Sequence, residues 1–316
     1  MADLVNAFSW SVSAAEDFEE CRRRRYWAKY GMWNGWKDTA PPLARTAYRL
    51  AKMQNRFSLL GDAAERGVMW ALRERQAGRE VTAESAYAAA VRPHLNECWR
   101  QSREGLWKKD PKKFCCLLEH YYGAVTPENQ KDMVDYITGQ ARVCLANFIE
   151  KVLPALAGVK REDEVEIGRI GRGEPESFEL AGIRIYAIPD YAYWQSGTLR
   201  IHDWKAGKPR EKHAAQMTVY GLWANVKKGV EAGRVQVSLE YLASGVTESR
   251  TIAETDLEEA KAGIASSVAD MAEYLVAGDV QRNEPMPKEE WELAADRDAC
   301  RMCGFYELCK PELDVQ

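Results

Sequence analysis

The chain has 316 residues, of which 46% are hydrophobic and 29% are charged, and its formal net charge is −4. This composition is that of an ordinary globular protein with enough residues for a substantial core. The negative charge excludes a uniformly basic nucleic-acid coat, so any DNA contact must come from local basic patches. No apolar run approaches the roughly 20 residues that span a bilayer, and the N-terminal stretch carries acids where a signal peptide is basic. We therefore expect a cytoplasmic protein with no membrane partner.

The first predicted helix begins near Ser13, because Ser13 and Glu16 have the spacing of a capping box. It would carry Cys21 and the unbroken basic run from Arg22 to Arg25. A lone cysteine on a helix is more often a small buried hydrophobe than a ligand. A basic run is more often solvated surface than a DNA contact, but this run is one of two basic patches in the chain.

From about residue 37 to residue 158 the pattern is mainly helical, with prolines at the breaks. In one helix, apolar residues at helical spacing flank Glu65; they are Leu59, Leu60, Ala63, Ala64, Val68 and Leu72. His94 and His120 have no partner at convincing spacing, so we expect hydrogen-bonded structural histidines. The other aromatic and cysteine positions of this lobe are assigned to packing, among them Trp99, Trp107, Cys98, Cys115, Cys116 and Cys144.

Two hairpins follow, the first around Ala181-Gly182 and the second around Ser196-Gly197. The last strand, TLRIHDWK, alternates, so Asp203 and Lys205 share one face. The second turn places Asp190 opposite Asp203, and two carboxylates roughly 5 Å apart at Cβ repel each other unless a cation lies between them. Hard oxygen ligands suit magnesium or manganese, and Lys205 would then neutralise a phosphate or position the attacking water.

The second basic patch runs from Arg200 to Lys212 and contains five Lys or Arg residues against two acids. It lies beside the proposed metal site and includes Lys208 and Arg210. The next predicted helix carries Gln216 and Tyr220 on one face and packs an apolar face on the sheet; that face consists of Val219, Leu222, Trp223 and Val226. The stretch RVQVSLEYL predicts another strand, and a helix over about 256–276 closes the core.

The C-terminal segment carries Cys300, Cys303 and Cys309 in the pattern C-x-x-C-x-x-x-x-x-C. A disulfide framework does not suit a cytosolic chain of this size. Thiolates at such spacing bind either zinc or an iron–sulfur cluster, and spacing alone does not choose between them.

Together these motifs carry a family resemblance. Pro189-Asp190 followed by Asp203-Trp204-Lys205 resembles the signature of the PD-(D/E)xK nucleases, and Gln216-x-x-x-Tyr220 is similar to the Q-x-x-x-Y motif of their RecB-like branch. The N-terminal segment and the cysteine tail resemble the iron–sulfur nucleases of that branch, such as the CRISPR-associated adaptation nuclease and the AddB nuclease domain. The resemblance implies an α/β fold: a restriction-endonuclease-like αβββαβ core with a mixed sheet flanked by helices, a large helical insertion, and a cluster that joins the N- and C-terminal segments.

The resemblance also implies a metal site in which Asp190, Asp203 and Glu65 hold one or two Mg or Mn ions, with the Trp204 carbonyl as an extra ligand. Glu65 stands where the family often has the histidine of a G-x-x-x-H motif; the alternative is that Glu65 is helix surface. Lys205 would orient the attacking water or stabilise charge in the transition state. Support of the site or contact with the substrate is implied for Gln216, Tyr220, Lys208 and Arg210.

In the related iron–sulfur proteins, the fourth cluster ligand comes from near the N-terminus, which implies that Cys21 joins the three tail cysteines around a [4Fe–4S] cluster. Zinc bound by four thiolates is the alternative. Four segments follow: 1–36 with the first cluster cysteine, 37–160 as a helical lobe, 161–282 as the nuclease core and 283–316 as the cluster-binding tail.

The function implied is a metal-dependent DNA nuclease, an exonuclease acting on DNA that is single-stranded or has free ends. It would serve DNA repair, recombination or the processing of CRISPR or phage DNA, with protein partners in a DNA-processing complex. Two other classes stay open. One is a non-catalytic DNA-binding or scaffold subunit of a nuclease–helicase complex, and the other is a redox-responsive DNA-binding protein.

Overall fold

The computed structural model describes residues 4–169, 174–210 and 212–313, with residue 212 described by its backbone alone. The chain divides into two compact units. Unit 1 comprises Met1–Met53, Glu179–Tyr186 and Lys261–Gln316, and unit 2 comprises Gln54–Phe178 and Ala187–Ala260. Both ends of the chain therefore belong to unit 1. Within the described ranges, no helix has the length and apolar character needed to cross a membrane.

The α-helices of the described residues are α1 (Val12–Glu20), α2 (Arg22–Tyr26), α3 (Pro42–Ala51), α4 (Arg56–Gln76), α5 (Ala83–Ala86), α6 (Arg92–Glu104), α7 (Leu118–Tyr121), α8 (Gln130–Asn147), α9 (Lys212–Lys228), α10 (Glu254–Ala272), α11 (Arg297–Arg301) and α12 (Tyr306–Leu313). Helices α2, α5 and α8 continue directly into π-helical turns. The strands are β1 (Ser9–Trp10), β2 (Ser177–Leu180), β3 (Ile183–Tyr186), β4 (Tyr191–Gln195), β5 (Thr198–Lys205), β6 (Val235–Tyr241) and β7 (Val246–Thr251).

Unit 2 contains a four-stranded mixed sheet in the order β4-β5-β6-β7. Strands β5 and β6 run parallel, and the two outer pairs are antiparallel. In the β4–β5 hairpin, Tyr191 pairs with His202, which confirms the predicted register. The turn residues Ser196 and Gly197 have φ of 50° and 77°, as a two-residue turn between twisted strands requires.

The predicted hairpin around Ala181-Gly182 also forms, between β2 and β3, and both turn residues have positive φ. Its strands do not join the four-stranded sheet. They form a separate three-stranded sheet in the order β1-β3-β2, in which β1 runs parallel to β3. The single sheet expected from the strand order is therefore divided into two sheets.

Helix α4 buries the whole predicted apolar stripe and forms one hydrophobic core with α5, α6 and α8. Trp204 extends this core from β5, where its indole ring packs against Phe148 at 5.4 Å between centroids. Helix α9 buries Val219, Leu222 and Trp223, but Val226 is 44% exposed, so its predicted packing was wrong. It lies in the last turn of the helix, where the apolar face ends in two lysines.

Strand β7 was not predicted because every residue of its sequence, VTESRT, is exposed. A strand that carries no buried face lacks the apolar alternation by which strands are found. Its backbone pairs with β6 along the edge of the sheet.

The N-terminal helix begins earlier than predicted and ends before Cys21. Ser11, not Ser13, is the N-cap, and its hydroxyl accepts the N–H of Ala14 at 3.1 Å. Cys21 has extended backbone angles (φ −164°, ψ 114°) and separates α1 from α2. The prediction of one helix carrying Cys21 was therefore wrong: this cysteine caps α2, and its Sγ accepts the N–H of Arg24 at 3.3 Å.

The arginine run of α2 is neither a free basic patch nor plain solvated surface. Arg23 is only 3% exposed, donates to the carbonyl of Trp291 and pairs with Glu312 at 2.6 Å. Arg24 pairs with Asp17 and Glu20 at 2.7 and 2.9 Å. Acids of unit 1 thus neutralise much of the charge that the sequence had suggested for DNA.

Candidate active site

The two acids of the hairpin, Asp190 and Asp203, meet where β4 begins and β5 ends. Asp203 lies on β5, is 3% exposed, and has buried Leu199 and Ile201 on its face of the strand. Asp190 directly precedes β4, and its Oδ2 accepts the backbone N–H of Trp204 at 2.6 Å. This hydrogen bond fixes the Asp190 carboxylate beside the backbone of the residue that follows Asp203.

Four side chains form a closed ring of polar contacts, and Asp203 is one of them. Lys205 Nζ donates to Oε1 of Gln216 at 2.6 Å, and Nε2 of the same amide donates to the hydroxyl of Tyr220 at 2.8 Å. The hydroxyl of Tyr220 donates to Asp203 Oδ1 at 2.7 Å. The ring closes at Asp203 Oδ2, which lies 2.6 Å from Lys205 Nζ. Because the hydroxyl has one hydrogen and Lys205 only donates, this chain of donors also fixes which way the amide of Gln216 faces.

The contact that closes the ring is an ion pair by distance alone. Asp203 Oδ2 is buried and has no hydrogen-bond partner of acceptable direction, although the ammonium of Lys205 lies 2.6 Å away. The two observations agree, because a charge contact needs only proximity whereas a hydrogen bond also needs alignment. A lone pair of this buried carboxylate is therefore left for another partner.

Two carboxylates of unit 2, Asp190 and Glu65, have raised pKa values. Burial, and then the negative charges of Asp203 and Glu65, hold the pKa of Asp190 well above its usual range. Burial also raises the pKa of Glu65, on α4, with further contributions from Asp62 and Asp203 that Arg169 opposes. Such mutual repulsion marks a place where a cation would be bound favourably.

Arg169 provides a positive charge that the sequence analysis missed. Its guanidinium lies 3.4 Å from Glu65 Oε1 and 3.5 Å from Asp190 Oδ1, and it also donates to the backbone carbonyl of Asp190. The preceding Gly168 forms two hydrogen bonds with Glu176. It also lies so close to Glu174 that a Cβ at position 168 would be 2.3 Å from the carbonyl oxygen of Glu174. No motif signals Arg169, because it acts from an irregular segment outside the helices and strands.

The carboxylates do not enclose an ion as they stand: among the residues that the structure describes, no group of three or more His, Cys, Asp or Glu side chains is arranged to hold a metal. Arg169 gives the physical reason, since it lies between Glu65 and Asp190. The donor chemistry nevertheless fits a hard divalent cation, because the site offers oxygen ligands with raised pKa values and the unpartnered Oδ2 of Asp203.

The remaining predicted positions lie around this centre or in the lobe. Lys208 and Arg210 are exposed on the segment that follows β5. His94 and His120 are hydrogen-bonded, as expected, the first to Asp62 at 2.7 Å and the second to Ser102 at 2.8 Å.

A cavity of about 370 Å³ opens beside Asp190. Its wall combines apolar residues with both signs of charge; the lining residues include Met69, Arg73, Arg161, Glu164, Glu166, Arg169 and Tyr191. Glu164 accepts hydrogen bonds from Arg73, Gln76 and Tyr191, which tie the wall together.

The four cysteines predicted to share a cluster all belong to unit 1. Cys300 lies on α11, Cys309 on α12 and Cys303 between these helices, where its Sγ accepts the N–H of Phe305 at 3.4 Å. Burial raises the pKa of each of these three thiols, and the charge of Cys21 raises each further. The four thiols are thus close enough to interact, without forming a single-ion metal site within the described ranges.

Residues 9–310 match the model of the PD-(D/E)XK nuclease superfamily. The match covers most of the chain, which therefore belongs to this superfamily of metal-dependent phosphodiester hydrolases. Its members typically use magnesium or manganese and act on nucleic acids. No curated protein matches the sequence significantly.

Proposed function

We propose that this protein is a magnesium- or manganese-dependent deoxyribonuclease whose centre consists of Asp190, Asp203, Lys205 and Glu65. The observation that carries the proposal is the closed ring through Lys205, Gln216, Tyr220 and Asp203. An ion pair with a purely structural role would not need its hydrogen bonds with Gln216 and Tyr220. A ring that fixes both a carboxylate and an ammonium beside two further acids suits a preorganised site for a phosphate and a cation.

A divalent ion held by Glu65, Asp190, Asp203 and the Trp204 carbonyl would polarise the scissile phosphate and lower the pKa of the attacking water. The side chains have separate tasks around it. Lys205 places its ammonium where it can offset charge on the phosphate or orient the water. Gln216 holds the ammonium, while Tyr220 holds the carboxylate of Asp203.

Arg169 has a second task in this proposal. Its guanidinium neutralises Glu65 and Asp190 in the metal-free protein, and a divalent cation at these carboxylates would replace it. The released guanidinium would then be available to a phosphate, for which its planar donor geometry is suited. Lys208 and Arg210, both exposed on the segment that follows β5, would contact the DNA backbone.

We infer exonuclease action on DNA that is single-stranded or has free ends, consistent with a role in DNA repair, recombination or CRISPR- or phage-related processing alongside protein partners. The cavity beside Asp190 supports this inference. Its volume of about 370 Å³ lies in the range of small-ligand pockets. A cavity of this size would accept a terminal nucleotide rather than a continuous duplex.

The test is hydrolysis of single-stranded, duplex and circular DNA of the same sequence, labelled along the strand, with magnesium or manganese. We expect degradation of the linear substrates in the presence of metal and intact circles. Cleavage of closed circles would contradict exonuclease action while leaving the nuclease assignment in place. No cleavage of any DNA with either metal would contradict the nuclease assignment.

We also propose that Cys21, Cys300, Cys303 and Cys309 hold a [4Fe–4S] cluster. Their common unit, their mutual electrostatic effects and the N–H···S bonds at Cys21 and Cys303 support it. Zinc needs its sulfurs about 2.3 Å from a single point, whereas a cluster binds each thiolate through a different iron. The iron, sulfide and zinc content of the purified protein distinguishes the two.

A further inference from the structure

A second group of reactive side chains lies in the helical part of unit 2, apart from the ring around Asp203. Helix α6 carries His94 and Cys98 one turn apart, and α4 contributes Asp62. His94 Nε2 lies 2.7 Å from Asp62 Oδ2. The sulfur of Cys98 lies 3.7 and 3.8 Å from the two ring nitrogens of His94, so it sits beside the imidazole.

A second thiol faces the first. Cys115 lies close enough to Cys98 for the two thiols to shift each other's pKa. Its segment is held against α6, because Cys115 N–H donates to Gln101 Oε1 at 2.7 Å and Leu117 N–H donates to Ser102 Oγ at 2.9 Å. The two sulfurs are therefore neighbours through the fold, although 17 positions separate them in the sequence.

We propose that Cys98 and Cys115 form a peroxide-reactive thiol pair that is oxidised to a disulfide. Cys98 would be the attacking sulfur, His94 its proton donor, and Cys115 the resolving thiol. Asp62 would position His94, and it is itself paired with Arg66 at 3.1 Å.

The electrostatics agree with these roles. The interaction with Cys115, followed by the interactions with His94, lowers the pKa of Cys98 to about 5, against the opposing effect of burial. Burial lowers the pKa of His94, but the hydrogen bonds to Asp62 and Cys98 outweigh it and raise the pKa to about 9. At neutral pH the pair is therefore thiolate and imidazolium, the form that attacks and donates.

The reaction balances with hydrogen peroxide as the oxidant. The thiolate of Cys98 attacks one peroxide oxygen, an S–O bond forms as the O–O bond breaks, and the leaving hydroxide takes the proton of His94 to become water. The sulfur of Cys115 then attacks the Cys98 sulfur, and the S–S bond replaces the S–O bond. The hydroxide that leaves takes the Cys115 proton, so two thiols are oxidised while one peroxide is reduced to two waters.

The two sulfurs differ in their exposure to solvent. Cys98 is 6% exposed, whereas Cys115, His94 and Asp62 are partly exposed around it. A small peroxide can reach such a sulfur more easily than a bulky reagent can. The oxidised product would be a link between α6 and the segment of Cys115, within unit 2.

The first test is peptide mapping of the reduced full-length protein after treatment with one equivalent of hydrogen peroxide. Tryptic peptides carrying Cys98 and Cys115 should be joined in the wild type. Cys115 shares its peptide with Cys116, so the matched control is Cys116→Ala, which should keep the link, whereas Cys115→Ala should lose it. Absence of the link in the wild type, or its survival in Cys115→Ala, would overturn the proposal.

The second test measures the pH dependence of iodoacetamide modification at single cysteines, and it needs no variant. The charged or titratable groups that face Cys98 are His94, Asp62 and Cys115. Between pH 8 and pH 6 an ordinary thiol loses reactivity roughly 75-fold, as its thiolate fraction falls, whereas Cys98 should lose less than about twofold. A profile like that of free cysteine would overturn the proposal. So would stoichiometric zinc that is lost in His94→Gln, because the four side chains would then be a metal site.

Discussion

The hydroxyl of Tyr220 donates to Asp203 Oδ1 over 2.7 Å and so joins α9 to the C-terminal part of β5. Both side chains are buried, and the aspartate has only one such donor on that oxygen among the described contacts. A residue on a helix thereby sets the orientation of an acid on a strand. Tyr220 is therefore expected to support metal binding by Asp203.

Tyr220→Phe should raise the metal concentration needed for half-maximal cleavage by about tenfold to a hundredfold, because the ligand Asp203 loses the partner that orients it. The free energy of unfolding should fall by roughly 1–3 kcal/mol, since Oδ1 is left buried without a donor. Metal titrations of activity measure the first effect. The control is Thr218→Val on the same helix, where the hydroxyl donates to the carbonyl of Ala215. Equal metal dependence in the phenylalanine variant and the wild type would argue against a supporting role.

Arg169→Gln should tighten the binding of manganese to the DNA-free protein by roughly tenfold, because the ion no longer competes with a guanidinium for Glu65 and Asp190. The metal-free variant should also unfold at a lower temperature, since these acids lose their counter-charge. Calorimetric titration with manganese checks the first effect. The control is Arg66→Gln, which removes a charge from α4 that pairs with Asp62. Weaker manganese binding in the Arg169 variant would mean that this arginine supports the ion and does not compete with it.

Glu164→Gln should destabilise the protein in a pH-dependent way. Burial raises the pKa of Glu164, but hydrogen bonds from Arg73, Gln76 and Tyr191 outweigh it and lower the pKa. A depressed pKa stabilises the fold above the unfolded value of about 4.3, and this stability is lost as the pH falls through the folded value.

The difference in unfolding free energy between wild type and Glu164→Gln should thus be roughly 1–3 kcal/mol at pH 7 and should shrink below about pH 4. Denaturant unfolding at several pH values measures it. Glu166→Gln, at an exposed position of the same cavity, serves as the control. A difference that does not change with pH would show that charge does not cause the loss.

Cys21→Ala should remove the cluster as completely as Cys303→Ala does, because each supplies one thiolate. Anaerobically purified protein should be brown and contain iron and sulfide, and both variants should lose colour and melt at a lower temperature. Cys144→Ala, which empties a fully buried position of α8, should keep the colour even if it loses stability. Stoichiometric zinc without iron would replace the cluster with a zinc site. A brown Cys21→Ala protein would mean that the fourth ligand lies elsewhere.

Much of the centre could be predicted from sequence because it depends on local periodicity. The turn at Ser196-Gly197 fixes the register of two strands, and a helical repeat sets Gln216 and Tyr220 on one face. The closed ring follows once α9 packs on the sheet. The apolar stripe of α4 is equally local, and every residue of it is buried.

Several other features could not be predicted because they depend on partners far apart in the chain. Arg169 reaches Glu65 across 104 positions of sequence, from a segment that has no periodicity. Arg23 was assigned to the surface because its acceptors, Trp291 and Glu312, lie near the other end of the chain. The approach of Cys98 to Cys115 likewise depends on how a loop folds back on α6. No rule based on residue spacing predicts contacts between residues so far apart in the sequence.

The most direct test of the central claim is the rate of manganese-dependent cleavage of end-labelled DNA by wild type and Asp203→Asn. Asparagine keeps the shape of the side chain and removes one of three repelling charges, so the variant should fold. Asp256→Asn, which alters a buried aspartate paired with Arg250, is the control and should retain activity. We expect Asp203→Asn to bind DNA but to cleave it at least roughly a hundredfold more slowly. Cleavage by the folded variant at the wild-type rate would contradict the assignment of Asp203 and, with it, the proposed active site.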